Sequence, residues 1–470
     1  MRRGSGGQRR QTVAFVGALA GVLVLAAWSA AGFGASATAA KGLSAFAPTG
    51  WYVVNDASNE RPAAQAYSPS SSQLLNARSY KKGISGLAIF VPIAQVLAPV
   101  TTWGRFQWDW SYLDTLAGDA IAAHKRFSLA FEVGYQAPPT SPPTPPTYPK
   151  SLPAGFASTC DAAVAGKTCA PLFDVWLNGG HAGGRCVSAY IPLPWVTAVQ
   201  LFWKDLASAV STHLRHKFVD GESEYSALTL VHVPGLSVYD EEIRVPAVPY
   251  PSNLKGSPVP CPDGTNPASS IPQSLSLLSS SYGYSEQSVE SGFETIAGYF
   301  ASAFPDRYLA LSIFPGTAFP GGQSDAIEQQ IISTVAGLTG GNLLLQSDDL
   351  DLASDKTAEE AMQRVTAIAH ANKVHVSFQS NKRGSQGAAC DKSTCLPDTA
   401  NGPYAQLLSN GKMLGASYTE VWSYDVVTYP TALCGVARCT RLPPPRKPPS
   451  PHPKPTPCPP HKPGTPITCQ

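Results

Sequence analysis

Two adjacent acids, Glu241 and Glu242, follow an apolar run, 228–233 (LTLVHV), in the stretch PGLSVYDEEIRVP. Paired carboxyl groups suit one chemistry above others. One stays protonated and assists a leaving oxygen, while the other stays ionised and attacks, or activates water, at the same bond. Glycosidic bonds break this way, with carboxyls about 5 Å apart for retention and about 6.5–9.5 Å apart for inversion. Side chains of an extended run alternate, so only one of the two acids can enter a cleft. Glu242 is the first candidate for the acid/base and Glu241 the second; the competing reading makes both solvated loop charges beside Arg244. The candidate partner carboxylate is Glu420, which lies in an apolar, aromatic stretch, SYTEVWSYD, where a charge without a partner is costly. The competing reading there is a structural ion pair inside the fold.

Polar neighbours fit a sugar ligand. Gln346, Gln379, Asn178 and Asn381 can both donate and accept, as hydroxyl recognition requires. Asp348 ends a strand-like run and is a further candidate for substrate hydroxyls, with loop capping as the alternative. Trp103, Trp108, Trp110 and Trp422 lie near expected strand ends or loops, with Asp425 close behind Trp422. Their rings could stack on sugars or fill packing between elements. His181, in NGGHAGG, reads as a surface histidine, and Glu132 ends another strand-like run.

These groups need a scaffold that gathers them. Short apolar runs at 84–93, 126–134, 173–177, 227–233, 308–314, 342–346, 374–379 and 416–421 read as eight strands. Helical spacing occupies 112–123, 195–214, 289–303, 326–338, 356–371 and 403–408. Eight strands, most followed by a helix, predict an α/β fold, a (β/α)₈ TIM barrel with its chemistry at the carboxyl ends of the strands. The third strand is contested, because 187–193 competes with 173–177 for it. An open doubly wound sheet would want a Gly-rich phosphate turn after its first strand, and the segment after Phe90 supplies none.

The ends have a different composition. Arg2, Arg3, Arg9 and Arg10 precede an apolar run, 13–28, and small residues follow up to Ala37-Thr38-Ala39. Residues 1–40 therefore read as a signal peptide or N-terminal anchor, 41–440 as the barrel domain, and 441–470 as a disordered, proline-rich tail. A second proline run, 138–149, reads as a surface loop. Ten cysteines agree with export and predict disulfide-stapled loops, with Cys160 beside Cys169, Cys390 beside Cys395, Cys434 beside Cys439 and Cys458 beside Cys469, leaving Cys186 and Cys261. No zinc-ligand spacing, nucleophile elbow, P-loop or dinucleotide fingerprint is present, so neither metal nor cofactor is expected. A net charge of +2 without a basic stripe gives no reason to expect nucleic acid as a partner.

Three stretches resemble glycoside hydrolases of the retaining barrel superfamily: Trp103-Gly104 followed by WDWSYLD (108–114), LVHV through Glu242, and SYTEVWSYD (417–425). The resemblance implies an acid/base glutamate after the fourth strand and a nucleophilic glutamate after the seventh. The expected seventh strand departs from it by ending in Gln379-Ser380-Asn381, and an amide cannot attack an anomeric carbon. The sequence thus points to an exported glycoside hydrolase with a carbohydrate substrate, secreted or held at the cell wall or membrane surface. The alternative is a non-catalytic carbohydrate-binding barrel displayed there.

Overall fold

The computed structural model describes residues 47–55, 71–132, 152–165, 167–177, 185–236, 243, 279–313, 324–351, 356–380, 390–391, 394–395 and 398–437. Glu241, Glu242, Asn178, Asn381, the N-terminal segment, the 138–149 proline run and the tail lie outside the described residues.

Eight parallel strands close into a barrel: β1 (Gly50–Val54), β2 (Ile84–Pro92), β3 (Arg126–Glu132), β4 (Leu228–His232), β5 (Tyr308–Ser312), β6 (Leu343–Leu350), β7 (His375–Ser380) and β8 (Tyr418–Trp422). Each pairs with its neighbour in chain order, and β8 returns to β1 through Tyr52↔Glu420 and Val54↔Trp422. The helices around it include α1 (Ser111–Ala122), α2 (Thr197–His216), α3 (Glu286–Ala303), α4 (Ser324–Leu338), α5 (Lys356–Asn372) and α6 (Pro403–Met413). The α/β barrel expectation holds. Among the described residues no helix is long and apolar enough to cross a membrane.

Two strand assignments change. The first barrel strand is Gly50–Val54, which the periodicity reading passed over. Leu172–Leu177, expected as the third, instead pairs antiparallel with Arg185–Tyr190, outside the barrel. The two runs that competed for one place are partners in one hairpin. The errors offset one another, so the fourth to eighth strands keep their expected numbers, and Gln379 does lie on the seventh.

Alternation sorts the side chains. Val53, Leu87, Leu129, Val231, Leu345 and Val421 face outward into the core shared with the helices. There α2 presents Val199, Phe202, Leu206, Val210 and Leu214, a stripe at helical spacing. Tyr52, Ala88, Phe90, Ala130, Leu230, Tyr308, Leu344, Tyr418 and Trp422 form a second cluster inside the barrel. Cys160 and Cys169 are disulfide-bonded, fastening the turn after a helix, Phe156–Ala163. Cys390 and Cys395 oppose each other in a two-residue antiparallel pair. Cys434 is buried, and Cys439, Cys261, Cys458 and Cys469 lie outside the described residues.

Room inside the barrel is set by Gly86, the register partner of Tyr52. A Cβ there would meet the Tyr52 ring at 2.3 Å and the Arg126 carbonyl at 2.6 Å. Gly86→Ala should therefore destabilise the barrel by about 1–3 kcal/mol, as overpacking does. The check is a denaturant midpoint, and an unchanged midpoint would refute the close approach.

Candidate functional site at the carboxyl half of the barrel

Towards the amino ends of the strands the interior is aromatic and aliphatic. The Tyr52 and Tyr418 rings lie 4.6 Å apart at 47°. The Tyr52 hydroxyl donates to Thr229 Oγ1 at 3.2 Å, while Thr229 donates to the Phe127 carbonyl. Burial pushes the Tyr52 hydroxyl up to about 12.

One layer further along, the interior turns polar around Glu420, which is 0% exposed. The same alternation that faces Tyr418 and Trp422 inward faces Glu420 inward. Tyr418 OH donates to Glu420 Oε1 at 2.5 Å, and Ser128 Oγ lies 2.7 Å from that hydroxyl. His232 Nε2 lies 3.2 Å from the same carboxylate oxygen. On the other side, Gln379 Nε2 donates to Oε2 at 2.8 Å and Gln346 Nε2 at 3.1 Å. Gln346 Nε2 also reaches Asp348 Oδ1 at 3.3 Å, two residues further along β6. Burial alone would raise the Glu420 carboxyl. The His232 imidazole beside it and hydrogen bonds from Tyr418 and Gln379 outweigh that, holding it below the ordinary carboxylate range. Burial and the adjoining Glu420 charge push Tyr418 well above the usual phenol value, so the tyrosine stays a donor.

The structure thus brings four sequence candidates together: Glu420, Gln346, Gln379 and Asp348. Gln379 is 8% exposed and Gln346 fully buried, while Asp348 is partly open to solvent. Trp422 closes the side of this layer, its Nε1 donating to the Ser380 carbonyl at 2.8 Å. Both oxygens of Glu420 are occupied, so in this arrangement it holds charge rather than presenting a free lone pair.

The other candidates lie elsewhere. Asp425 sits fully buried on the short helix Ser423–Thr428 beside the Tyr404 hydroxyl of α6, so it joins the turn after β8 to the helical layer. Trp103 packs edge-on against Phe106 and Phe156, at 5.3 and 5.1 Å. Trp108 stacks on Trp110 at 5.4 Å and also meets Phe202 of α2, while Trp110 stacks on His213 of the same helix. These three rings take the packing alternative and form a cluster on α2.

Sequence reasoning passed over His232, Tyr418 and Ser128. One signal was present for His232: it shares parity with Leu230 in a short strand, so it faces the axis wherever Leu230 does. Glu132, 3% exposed at the end of β3, is a second buried acid at the carboxyl side. Above β4, Ile243 is buried and its N–H donates to the Ser312 carbonyl at the end of β5 at 2.9 Å.

No family model matches the chain, and no curated protein matches it either. Among solved structures it is similar to the catalytic domain of β-amylase from Paenibacillus polymyxa, at 11% identity and a TM-score of 0.50, over 84% of this chain and 99% of that one. A GH10 structure from Paenibacillus barcinonensis matches at 12% identity and TM-score 0.38, over 84% and 96% of the two chains. The β-galactosidase from Bacillus circulans sp. alkalophilus matches at 10% and 0.39, over 80% and 50%. The amylase likeness is one of fold, a closed (β/α)₈ barrel, and the two lower scores add no weight to it.

Removing the buried charge should be expensive. Glu420→Gln leaves an amide facing amide donors and His232 without its anion, a loss of about 3–5 kcal/mol at pH 7. Because the folded-state carboxyl titrates below its unfolded value of about 4.3, its contribution is complete above that pH and is lost as pH falls through the folded value. Urea midpoints at pH 7 and in steps down to pH 3 should show wild type losing stability on acidification more steeply than the variant. A variant as stable as wild type at pH 7 would contradict the geometry.

Proposed function

We propose that this protein is a glycoside hydrolase working at the carboxyl mouth of the barrel. One observation carries the reading: polar side chains from β4, β6, β7 and β8 converge on an ionised carboxylate in a layer that a purely structural barrel fills with branched hydrocarbons. Buried polar groups are unfavourable unless matched, and the nearest solvent-reachable groups of this set, Gln379 and Asp348, are of the kind that bind sugar hydroxyls.

In this reading Glu242, with Glu241 as substitute, is the acid/base. The support is local. Ile243, next in sequence to Glu242, is held against the end of β5, beside the polar layer. Asp348 is the second carboxyl, because it is partly exposed and joined through Gln346 to Glu420. Glu420 is a positioning residue and a fixed negative charge beneath them. That charge orients the Gln346 and Gln379 amides and favours a developing positive charge on a sugar ring above it. Asn178, Asn381 and Trp422 complete the proposed sugar contacts.

A second reading has its own observation. Gln379 lies on the seventh strand, where the resemblance implies a nucleophilic glutamate, and its amide is committed to Glu420. A barrel of this kind binds carbohydrate without cleaving it. Under either reading we place the protein outside the cell, on the basis of its arginine-led apolar N-terminus, its cysteines and its proline tail.

Aryl-glycosides and polysaccharides should be tested with wild type, Glu242→Gln, Glu241→Gln and Asp348→Asn, each checked for folding by circular dichroism. Hydrolysis by wild type that falls about 10²–10⁴-fold in Glu242→Gln and in Asp348→Asn supports the two-carboxyl assignment. Turnover unchanged in Glu242→Gln removes that residue, and in Glu241→Gln its substitute. No turnover of any glycoside, with retained polysaccharide binding, selects the binding barrel.

A further inference from the structure

Outside the barrel, three side chains that share no sequence motif come together. Asp114 is in the first turn of α1, His213 in the last turn of α2, and Glu224 in the short helix Glu224–Ala227 that leads into β4. One ligand atom from each lies within 4.8 Å of the others. His213 Nε2 is 2.5 Å from Asp114 Oδ1, and Lys217 Nζ is 2.7 Å from Asp114 Oδ2. Glu224 stands out by its burial. It is 0% exposed, and neither carboxylate oxygen has a hydrogen-bond partner among the described residues. Unmatched burial of this sort is unfavourable by several kcal/mol for an ionised group.

We propose that Asp114, His213 and Glu224 form a divalent metal site, suited to Zn²⁺, that ties α1 and α2 to the start of β4. Imidazole nitrogen and carboxylate oxygens are both donors this ion takes, and three protein ligands leave a fourth position for water. Tetrahedral bonds of about 2.0–2.1 Å put ligand atoms roughly 3.3–3.4 Å apart. The cation therefore parts His213 from Asp114 by about 1 Å and draws the Glu224 oxygen in, both by side-chain rotation. Trp110, stacked on His213 at 5.4 Å, restrains the ring plane. Lys217 stays on the other Asp114 oxygen, and its charge opposes the metal. Sequence spacing gives no zinc signature because the three ligands come from three elements.

The test uses the full chain, stripped with chelator and dialysed against ZnCl₂ at pH 7.5, in wild type, Glu224→Gln, His213→Asn and Lys217→Met. Histidines and cysteines elsewhere in the chain are common to all four and cancel in the comparison. Wild type should hold one zinc per chain more than Glu224→Gln or His213→Asn, and only wild type and Lys217→Met should gain Tm on zinc addition. Affinity should fall in Glu224→Gln by at least the roughly 10–100-fold that loss of an outer-shell partner gives, and should rise in Lys217→Met. Cobalt in place of zinc should show visible absorption that Glu224→Gln lacks. Equal zinc content and equal Tm response in all four proteins would overturn the site.

Discussion

The barrel depends on matching one buried charge. Glu420 lies inside a closed ring of strands with no access to water, so its two oxygens must find donors from the protein itself. They find them on Tyr418 of its own strand, Gln379 of β7 and Gln346 of β6, with His232 of β4 facing the same oxygen as Tyr418. These strands are far apart in sequence, so the match exists only if the registers Gln379↔Glu420, Gln346↔Ser377 and Gln346↔Ser312 hold together. A slip of one residue in β8 would turn Glu420 into the helical layer and Val421 into the axis. The match of donors to Glu420 thus holds in this register and is lost in its one-residue neighbour.

The wider fold was legible where period and length agreed. Strands β4 to β8 and the helices between them stand within a few residues of where alternation and helical spacing put them. The first strand was not legible because the helices that follow GWYVV, Ser71–Asn76 and Arg78–Lys82, are too short to show a helical period. The mistaken third strand shows the converse: 172–177 has every local property of a strand, yet its partner, 185–190, is seven residues away, and a short loop selects an antiparallel hairpin over a parallel crossover. Composition cannot distinguish the two, whereas the length of the connection can.

The site divides in the same way. Glu420, Gln346, Gln379 and Asp348 could be found because polar residues at fixed parity in apolar strands stand out. Their mutual contact depends on barrel closure, which no local window contains. The tryptophans misled for a related reason. WGRFQWDW is aromatic enough for a sugar cleft, but which side of α1 and α2 it covers is decided by Phe202 and His213, about a hundred residues further on.

Two glutamates of equal burial show how satisfaction, rather than location, separates a structural charge from a binding group. Glu420 and Glu224 are both fully shielded from solvent. Glu420 meets donors at both oxygens, and its carboxyl is held below the ordinary range; Glu224 meets none among the described residues. Desolvation disfavours the charge on both, and the donors on Glu420 are what oppose it there. A carboxylate whose donors are built in has little left to offer an incoming ion or sugar. One whose oxygens are unmatched, beside an imidazole and a second carboxylate, is incomplete as a hydrogen-bond network but complete as a set of metal ligands. Under the proposed metal site, that contrast puts ion binding among the helices outside the barrel, and under the proposed function it leaves the inner polar layer to orient the groups at the mouth.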